Sequence, residues 1–326
     1  VIGRARGVTA RSRREDGRPP AAVGGRRMDA PARYACVRAR APHGGRRGAG
    51  TAHGPLHVPA GRARLLDMRR LFPLPDPNDP DGARAVTDRA WGLDELADAY
   101  AYPATDGPWL RANMVSSLDG AAQHDGTSQP LSSDADMRIF GTLRALADAV
   151  VVGAETVRQE GYRPARARDA FAGRRAAAGQ GPAPAVAVVS ASLDLDFSLP
   201  LFTSPLVPTL VLTGAAASPE RVAAAEKAGA EVLVAGEGMG VDPARAVEAL
   251  AGRGLRRLLT EGGPRLLGQF VASGVLDELC LTVSPTLTSG TAQRIAYGSG
   301  RAVPERFALV SLLEEAGFLF TRYRRT

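Results

Sequence analysis

The chain has 326 residues and a formal net charge of +7, a balance that on its face favours a nucleic-acid partner. The charge is uneven, however: residues 1–67 hold 15 Arg, no Lys and four acids, a net of +11, which leaves −4 for residues 68–326. Two cysteines, Cys36 and Cys280, exclude a disulfide framework and a cysteine-built zinc site, and no apolar run reaches transmembrane length.

Residues 1–67 are mostly Arg, Ala, Gly, Pro and His without apolar periodicity. They cannot bury enough surface to offset their ordering entropy and are expected to be disordered. A basic nucleic-acid arm, a targeting peptide and a membrane-surface segment are the functional alternatives. The segment lacks the apolar core of a secretion signal and the aromatic interleaving of an RNA binder. An over-extended reading frame is the stronger expectation, because the chain starts at Val1 and holds 40 Arg against one Lys. Met68, followed by Arg69-Arg70-Leu71-Phe72, is then the better start. A soluble, cytoplasmic protein with neither membrane nor nucleic-acid partner is expected.

Residues 68–108 read as a Pro- and Asp-rich lead-in with one short helical pattern, Leu93–Tyr100. From residue 109 onward, strand and helix patterns alternate. Trp109–Val115 reads as a strand. Ser133–Ala149 reads as a helix, with Ser133 as its cap, Asp136 three residues on as in a capping box, and Met137, Phe140, Leu143 and Leu146 on one face. Val150–Gly153 is an all-apolar strand, the pattern of a sheet covered on both faces. Residues 165–184 read as a mobile Ala/Arg/Gly-rich loop. Strands follow at Ala185–Val189, Leu210–Thr213, Val232–Val234, Leu255–Glu261 and Leu279–Val283, with helices at Pro219–Ala228, Pro243–Leu250 and Pro264–Ser273. Ala308–Val310 and Phe318–Tyr323 read as a hairpin. The expected fold is α/β: one domain over 109–326, a mostly parallel sheet flanked by helices, with a C-terminal antiparallel hairpin.

Three stretches carry candidate chemistry. In Thr260-Glu261-Gly262-Gly263-Pro264, two glycines let the backbone approach a ligand, and Pro264 suits a first helical turn. Free N–H groups at the helix start would favour an anion such as a dinucleotide pyrophosphate, although such a turn is more often only a turn. Glu261 at a strand end is either a ligand-facing acid or a solvated carboxylate. In Val152-Gly153-Ala154-Glu155-Thr156-Val157, Thr156 either caps a helix or offers its hydroxyl to a cofactor phosphate. The third stretch runs from Ser116-Ser117-Leu118-Asp119-Gly120 through Asp125-Gly126-Thr127-Ser128 to Ser132-Ser133. It holds turn signals and a hydroxyl cluster suited to a substrate phosphate. Arg144 on the following helix is a phosphate ligand or a surface cation.

Taken together, Asn113–Gly120, Leu143–Val157 and Glu261–Leu266 resemble the riboflavin-pathway pyrimidine reductase family: the reductase half of the bifunctional deaminase–reductase and its stand-alone relatives. The resemblance covers about residues 109–323. It implies a dihydrofolate-reductase-like fold, NADPH as cofactor, a homodimer, and hydride transfer to the sugar C1 of a ribosylaminopyrimidine 5′-phosphate. It also implies site roles. Glu261, Asn113 and Asp119 are the candidate catalytic residues; Ser128, Arg144 and Ser190 would bind substrate. Gly153, Ala154, Thr156, Glu160, Gly262, Gly263, Pro264, Arg265 and Leu266 would bind cofactor. Asn113 stands where the bifunctional bacterial enzymes carry Lys and the stand-alone archaeal type carries Asn.

The sequence departs from the family at three places. Glu160-Gly161-Tyr162 replaces Asp-Asp-Pro, Ser190 replaces Asp, and Pro130 replaces a frequent Trp. No zinc-deaminase signature is present, so the bifunctional form is not expected. A divergent reductase of the same fold acting on another heterocycle or imine is the second reading. A nucleic-acid-binding protein using the Arg-rich arm, or a non-catalytic nucleotide binder, are readings of another class.

Overall fold

The computed structural model describes residues 68–72, 91–300 and 303–326. Residues 1–67, expected to be disordered, and 73–90 of the expected lead-in lie outside the described residues. Among these residues ten strands form one sheet. In chain order the elements are β1 (Arg69–Phe72), α1 (Leu93–Ala99), β2 (Trp109–Ser116), α2 (Asp134–Leu146), β3 (Ala149–Gly153), α3 (Ala154–Gln159), α4 (Asp169–Ala177), β4 (Ala185–Val189) and α5 (Pro200–Thr203). They continue with β5 (Leu210–Thr213), α6 (Pro219–Lys227), β6 (Glu231–Val234), α7 (Pro243–Ala251), β7 (Arg257–Thr260), α8 (Pro264–Ser273), β8 (Glu278–Val283), β9 (Phe307–Glu315) and β10 (Phe318–Arg325).

The strand order is β1-β9-β10-β8-β2-β7-β3-β4-β5-β6. From β8 to β6 every pairing is parallel; β10, β9 and β1 add antiparallel neighbours at one edge. The mostly parallel sheet and the C-terminal hairpin are as expected. The all-apolar strands are the cause. Successive side chains of a strand point to opposite faces, so Val150 packs with Leu143, Phe171 and Leu259 on one side, while Val151 packs with Leu258, Leu267 and Phe270 on the other. Helix starts follow the sequence signals. Ser133, Ser218 and Asp242 accept hydrogen bonds from first-turn N–H groups, and Pro219, Pro243 and Pro264 open their helices.

Four expectations need correction. The lead-in begins with a strand, β1, which pairs with β9 beside a fully buried Met68. Residues 165–184 are not a loop throughout, for α4 forms there. Its Phe171 enters the core, and Arg175 spends its guanidinium on the carbonyls of Ala145, Ala147 and Gly181 at 2.7–2.8 Å. A single phenylalanine amid Ala and Arg is too weak a period to read in advance. Helix α2 stops at Leu146 rather than Ala149. The Asp148 carboxylate accepts the N–H groups of Arg256 and Arg257 at 3.0 and 2.8 Å, which pulls the chain out of helix and into β3. Finally, Met137 is 53% exposed; the buried face of α2 is Ala135, Ile139, Leu143 and Leu146.

Candidate active site

The fold places its crevice where β7 inserts between β2 and β3. The chain runs outward from β3 to β6, then returns to the centre, so the strand order reverses at that point. Ligands of open α/β sheets bind outside the carboxyl ends of the strands at such a switch.

Two turns leave the sheet there and are stitched together by backbone. Gly153 N–H donates to the Gly262 carbonyl at 2.8 Å, and Glu261 N–H to that of Val151 at 3.1 Å. Gly262 has φ +78°, a conformation open to glycine, and its peptide to Gly263 is cis. At Gly263 the reason for glycine is space: a Cβ would stand 2.6 Å from Thr156 Oγ1. Helix α8 follows with no side-chain cap at Gly263, and its N-terminal end, Gly263 and Pro264, lies at the crevice. This backbone fits the phosphates of a dinucleotide, with Thr156 Oγ1 beside it.

The other half of the crevice is built from side chains. Arg144, in the last turn of α2, lays its fork on Glu261: Nε and Nη2 reach Oε1 and Oε2, each at 2.6 Å. Tyr162 also donates its hydroxyl to Glu261 Oε2. Arg144 is sandwiched between rings, 4.3 Å from the Phe140 centroid and 5.2 Å from that of Tyr162. Burial opposes the charge on Arg144, but Glu261 outweighs it and raises the guanidinium above its ordinary value. Burial, reinforced by Glu261, pushes the Tyr162 hydroxyl well above its ordinary range. With three donors on it, Glu261 is an acceptor here, and Arg144 is already occupied.

A cavity of about 360 Å³ joins the two halves. Asn113, Ser128, Arg144, Thr156, Glu160, Glu261, Gly263 and Pro264 line it, so all three sequence blocks converge on one place. Ser128 N–H donates to Glu160 Oε1 at 3.0 Å. Gly153 and Gly262 lie in the two turns, Ala154 opens α3, and Arg265 and Leu266 lie in the first turn of α8; none of the five lines the cavity. Asp119 and Ser190 do not line it. The Asp119 carboxylate accepts from Ser117 Oγ at 2.5 Å and from the N–H groups of Thr288 and Ser289 at 3.2 and 2.6 Å, which holds its carboxyl well below the usual range. It ties two loops. Ser190 is buried at the end of β4.

Three lining residues were missed as functional: Tyr162, Phe140 and Asp136. Tyr162 was visible only as a departure, and its partnership with Glu261 spans 99 positions. Asp136 was read as half of a capping box. Ser133 Oγ does accept its N–H at 3.2 Å, but the carboxylate accepts from Ser132 Oγ and Thr282 Oγ1 rather than from the N–H of Ser133 as a capping box requires.

A glycine turn feeding a helix at the switch point, beside a buried carboxylate, is the arrangement in which open α/β proteins bind a ligand. Residues 108–314 match the model of the RibD C-terminal domain, and the chain belongs to that family, as the resemblance implied. The 2,5-diamino-6-ribosylamino-4(3H)-pyrimidinone 5′-phosphate reductase of Methanothermobacter thermautotrophicus is 31% identical over 194 residues, 59% of this chain and 85% of that protein. A pyrimidine reductase-like protein from Corynebacterium diphtheriae superposes with a TM-score of 0.62 at 30% identity, over 71% of this chain and 98% of its own. Acinetobacter baumannii RibD shares the fold at 19% identity, with a TM-score of 0.54 over 77% of this chain and 71% of that one. No helix among the described residues is long and apolar enough to cross a membrane.

Proposed function

We propose that this chain is an NADPH-dependent reductase of a ribosylaminopyrimidine 5′-phosphate, giving the ribitylamino product, and that it works as a cytoplasmic homodimer. The observation that carries the reading is convergence: Asn113, Arg144, Thr156 and the Glu261–Pro264 turn, spread over about 150 positions, line one cavity in a family whose named relatives are such reductases. The preference for NADPH and the dimer rest on family resemblance alone.

The reduced nicotinamide supplies the hydride when bound. The chain's own residues bind and orient. The Gly262–Gly263 turn and the start of α8 hold the cofactor phosphates, Thr156 adding a hydroxyl. Arg144 and Glu261 satisfy each other in the free protein. Substrate exchanges this pair for two new ones: its 5′-phosphate takes the Arg144 fork with Ser128, and its N–H donors take Glu261. The exchange pairs Arg144 with the phosphate and keeps Glu261 hydrogen-bonded, which matters because a buried charge left without partners is strongly destabilising. Tyr162 keeps one donor on Glu261 during the change. The test is anaerobic NADPH oxidation with the diamino pyrimidine and its deaminated counterpart. Turnover of at least one supports the reading; cofactor binding with turnover of neither overturns it.

A further inference from the structure

One buried acid of the cavity has no role in that account. Asp136 is 7% exposed, lines the cavity, and sits at the start of α2 beside Met137 and Phe140, above the ends of β2 and β8. Thr282, which anchors it, pairs with Val115 across β8 and β2. Ser132 Oγ donates to Oδ2 at 2.5 Å and Thr282 Oγ1 to Oδ1 at 2.6 Å. A carboxylate has about four lone-pair sites, so one on each oxygen is left over. Among the described residues no cation pairs with it. Burial pushes its carboxyl above the usual range, and the two hydroxyls offset this only in part. A purely structural helix-start acid would not need burial against a ligand cavity with half its acceptors unused.

We infer that Asp136 reads the base of the substrate, accepting two adjacent N–H donors on the heterocycle edge opposite the sugar-bearing carbon. The inference rests on the proposed function and deepens it. In a 2-amino-4-oxopyrimidine that edge presents the ring N3–H and the 2-amino group side by side. In the deaminated uracil-type base the 2-amino donor becomes a carbonyl, which turns an acceptor toward a carboxylate. Asp136 thus selects the diamino pyrimidine over the deaminated one. Buried groups built to meet a donor reject strongly the analogue that lacks it.

The test is titration calorimetry on the full chain with NADP⁺ present, so that binding is read without turnover, using the two ribosylaminopyrimidine 5′-phosphates and the Asp136→Asn variant. The wild type should bind the diamino compound at least about tenfold tighter. Asp136→Asn should weaken that compound about 10- to 100-fold, leave the deaminated one within a few-fold, and so erase the preference. The variant should also melt no lower than the wild type at neutral pH, because it removes a desolvated charge. Equal losses for both compounds, no loss, or a melting temperature several degrees lower would each overturn the assignment. Wild type that binds neither compound overturns it together with the functional reading. Binding with the stated preference but no NADPH oxidation overturns the functional reading alone.

Discussion

The two halves of the crevice are made of different material. One half is backbone: the turns at Gly153 and Gly262–Gly263, hydrogen-bonded to each other, with Thr156 packed against Gly263 and α8 starting bare. The other half is side chain: Arg144, Tyr162 and Glu261 bonded into a triad, with Phe140 and Asp136 alongside. A backbone half accepts any ligand with the right charge and spacing, as a shared cofactor requires. A side-chain half can be retuned by single substitutions, and Tyr162 stands in this half. Changes to the two halves should therefore separate: cofactor affinity from one, substrate selectivity and turnover from the other.

The largest effect is expected on the side-chain half. Glu261→Gln removes the charged acceptor proposed for the substrate's N–H donors, so kcat/KM should fall by ~10²–10⁴, the range for losing two hydrogen bonds to a charged group at ~1.5–3 kcal/mol each. Cofactor affinity should stay within a few-fold. A parallel loss of NADPH affinity would erase the distinction between the halves.

Gly263→Val probes the backbone half. Its Cβ would press on Thr156 Oγ1, which is 2.6 Å away, so cofactor binding should weaken about tenfold or more by calorimetry. Because φ at Gly263 is −65°, the backbone itself tolerates a side chain, so the contact with Thr156 is the cost to stability and the melting temperature should fall by about a few degrees. Unchanged NADPH affinity would move the cofactor elsewhere.

Legibility followed the same division. The backbone half could be read from sequence because Gly-Gly-Pro after an apolar strand has few structural meanings, and its neighbours are close in the chain. The sheet was readable for a similar reason: five-residue runs such as Ala149–Gly153 and Ala185–Val189 are apolar throughout. The side-chain half was only partly readable. Arg144 and Glu261 were each singled out, but their bond joins residues 117 positions apart, and no local pattern encodes it. Asp136 was hidden behind a second plausible role in capping. Phe171 and Arg175 likewise show their worth only through contacts with α2 and its C-terminal link.

Smaller effects sharpen the picture. Arg144→Lys keeps the charge but loses the planar fork, so KM for the phosphorylated substrate should rise about tenfold, with little change for its dephosphorylated form. Equal losses on both would make Arg144 only a strut for Glu261. Tyr162→Phe should have the mildest effect, a few-fold in kcat/KM, since it removes a single hydrogen bond from a Glu261 that the substrate's own donors also fill. A loss as deep as that of Glu261→Gln would place Tyr162 at the reacting atoms instead.

The central claim is that the crevice delivers a hydride to the sugar carbon of a ribosylaminopyrimidine 5′-phosphate. Turnover with NADPH carrying deuterium at the transferable nicotinamide position tests it most directly, read by mass and NMR of the product. One deuterium at C1 of the ribityl chain is the expected result; cofactor that stays unoxidised, or product without label at that carbon, would contradict it.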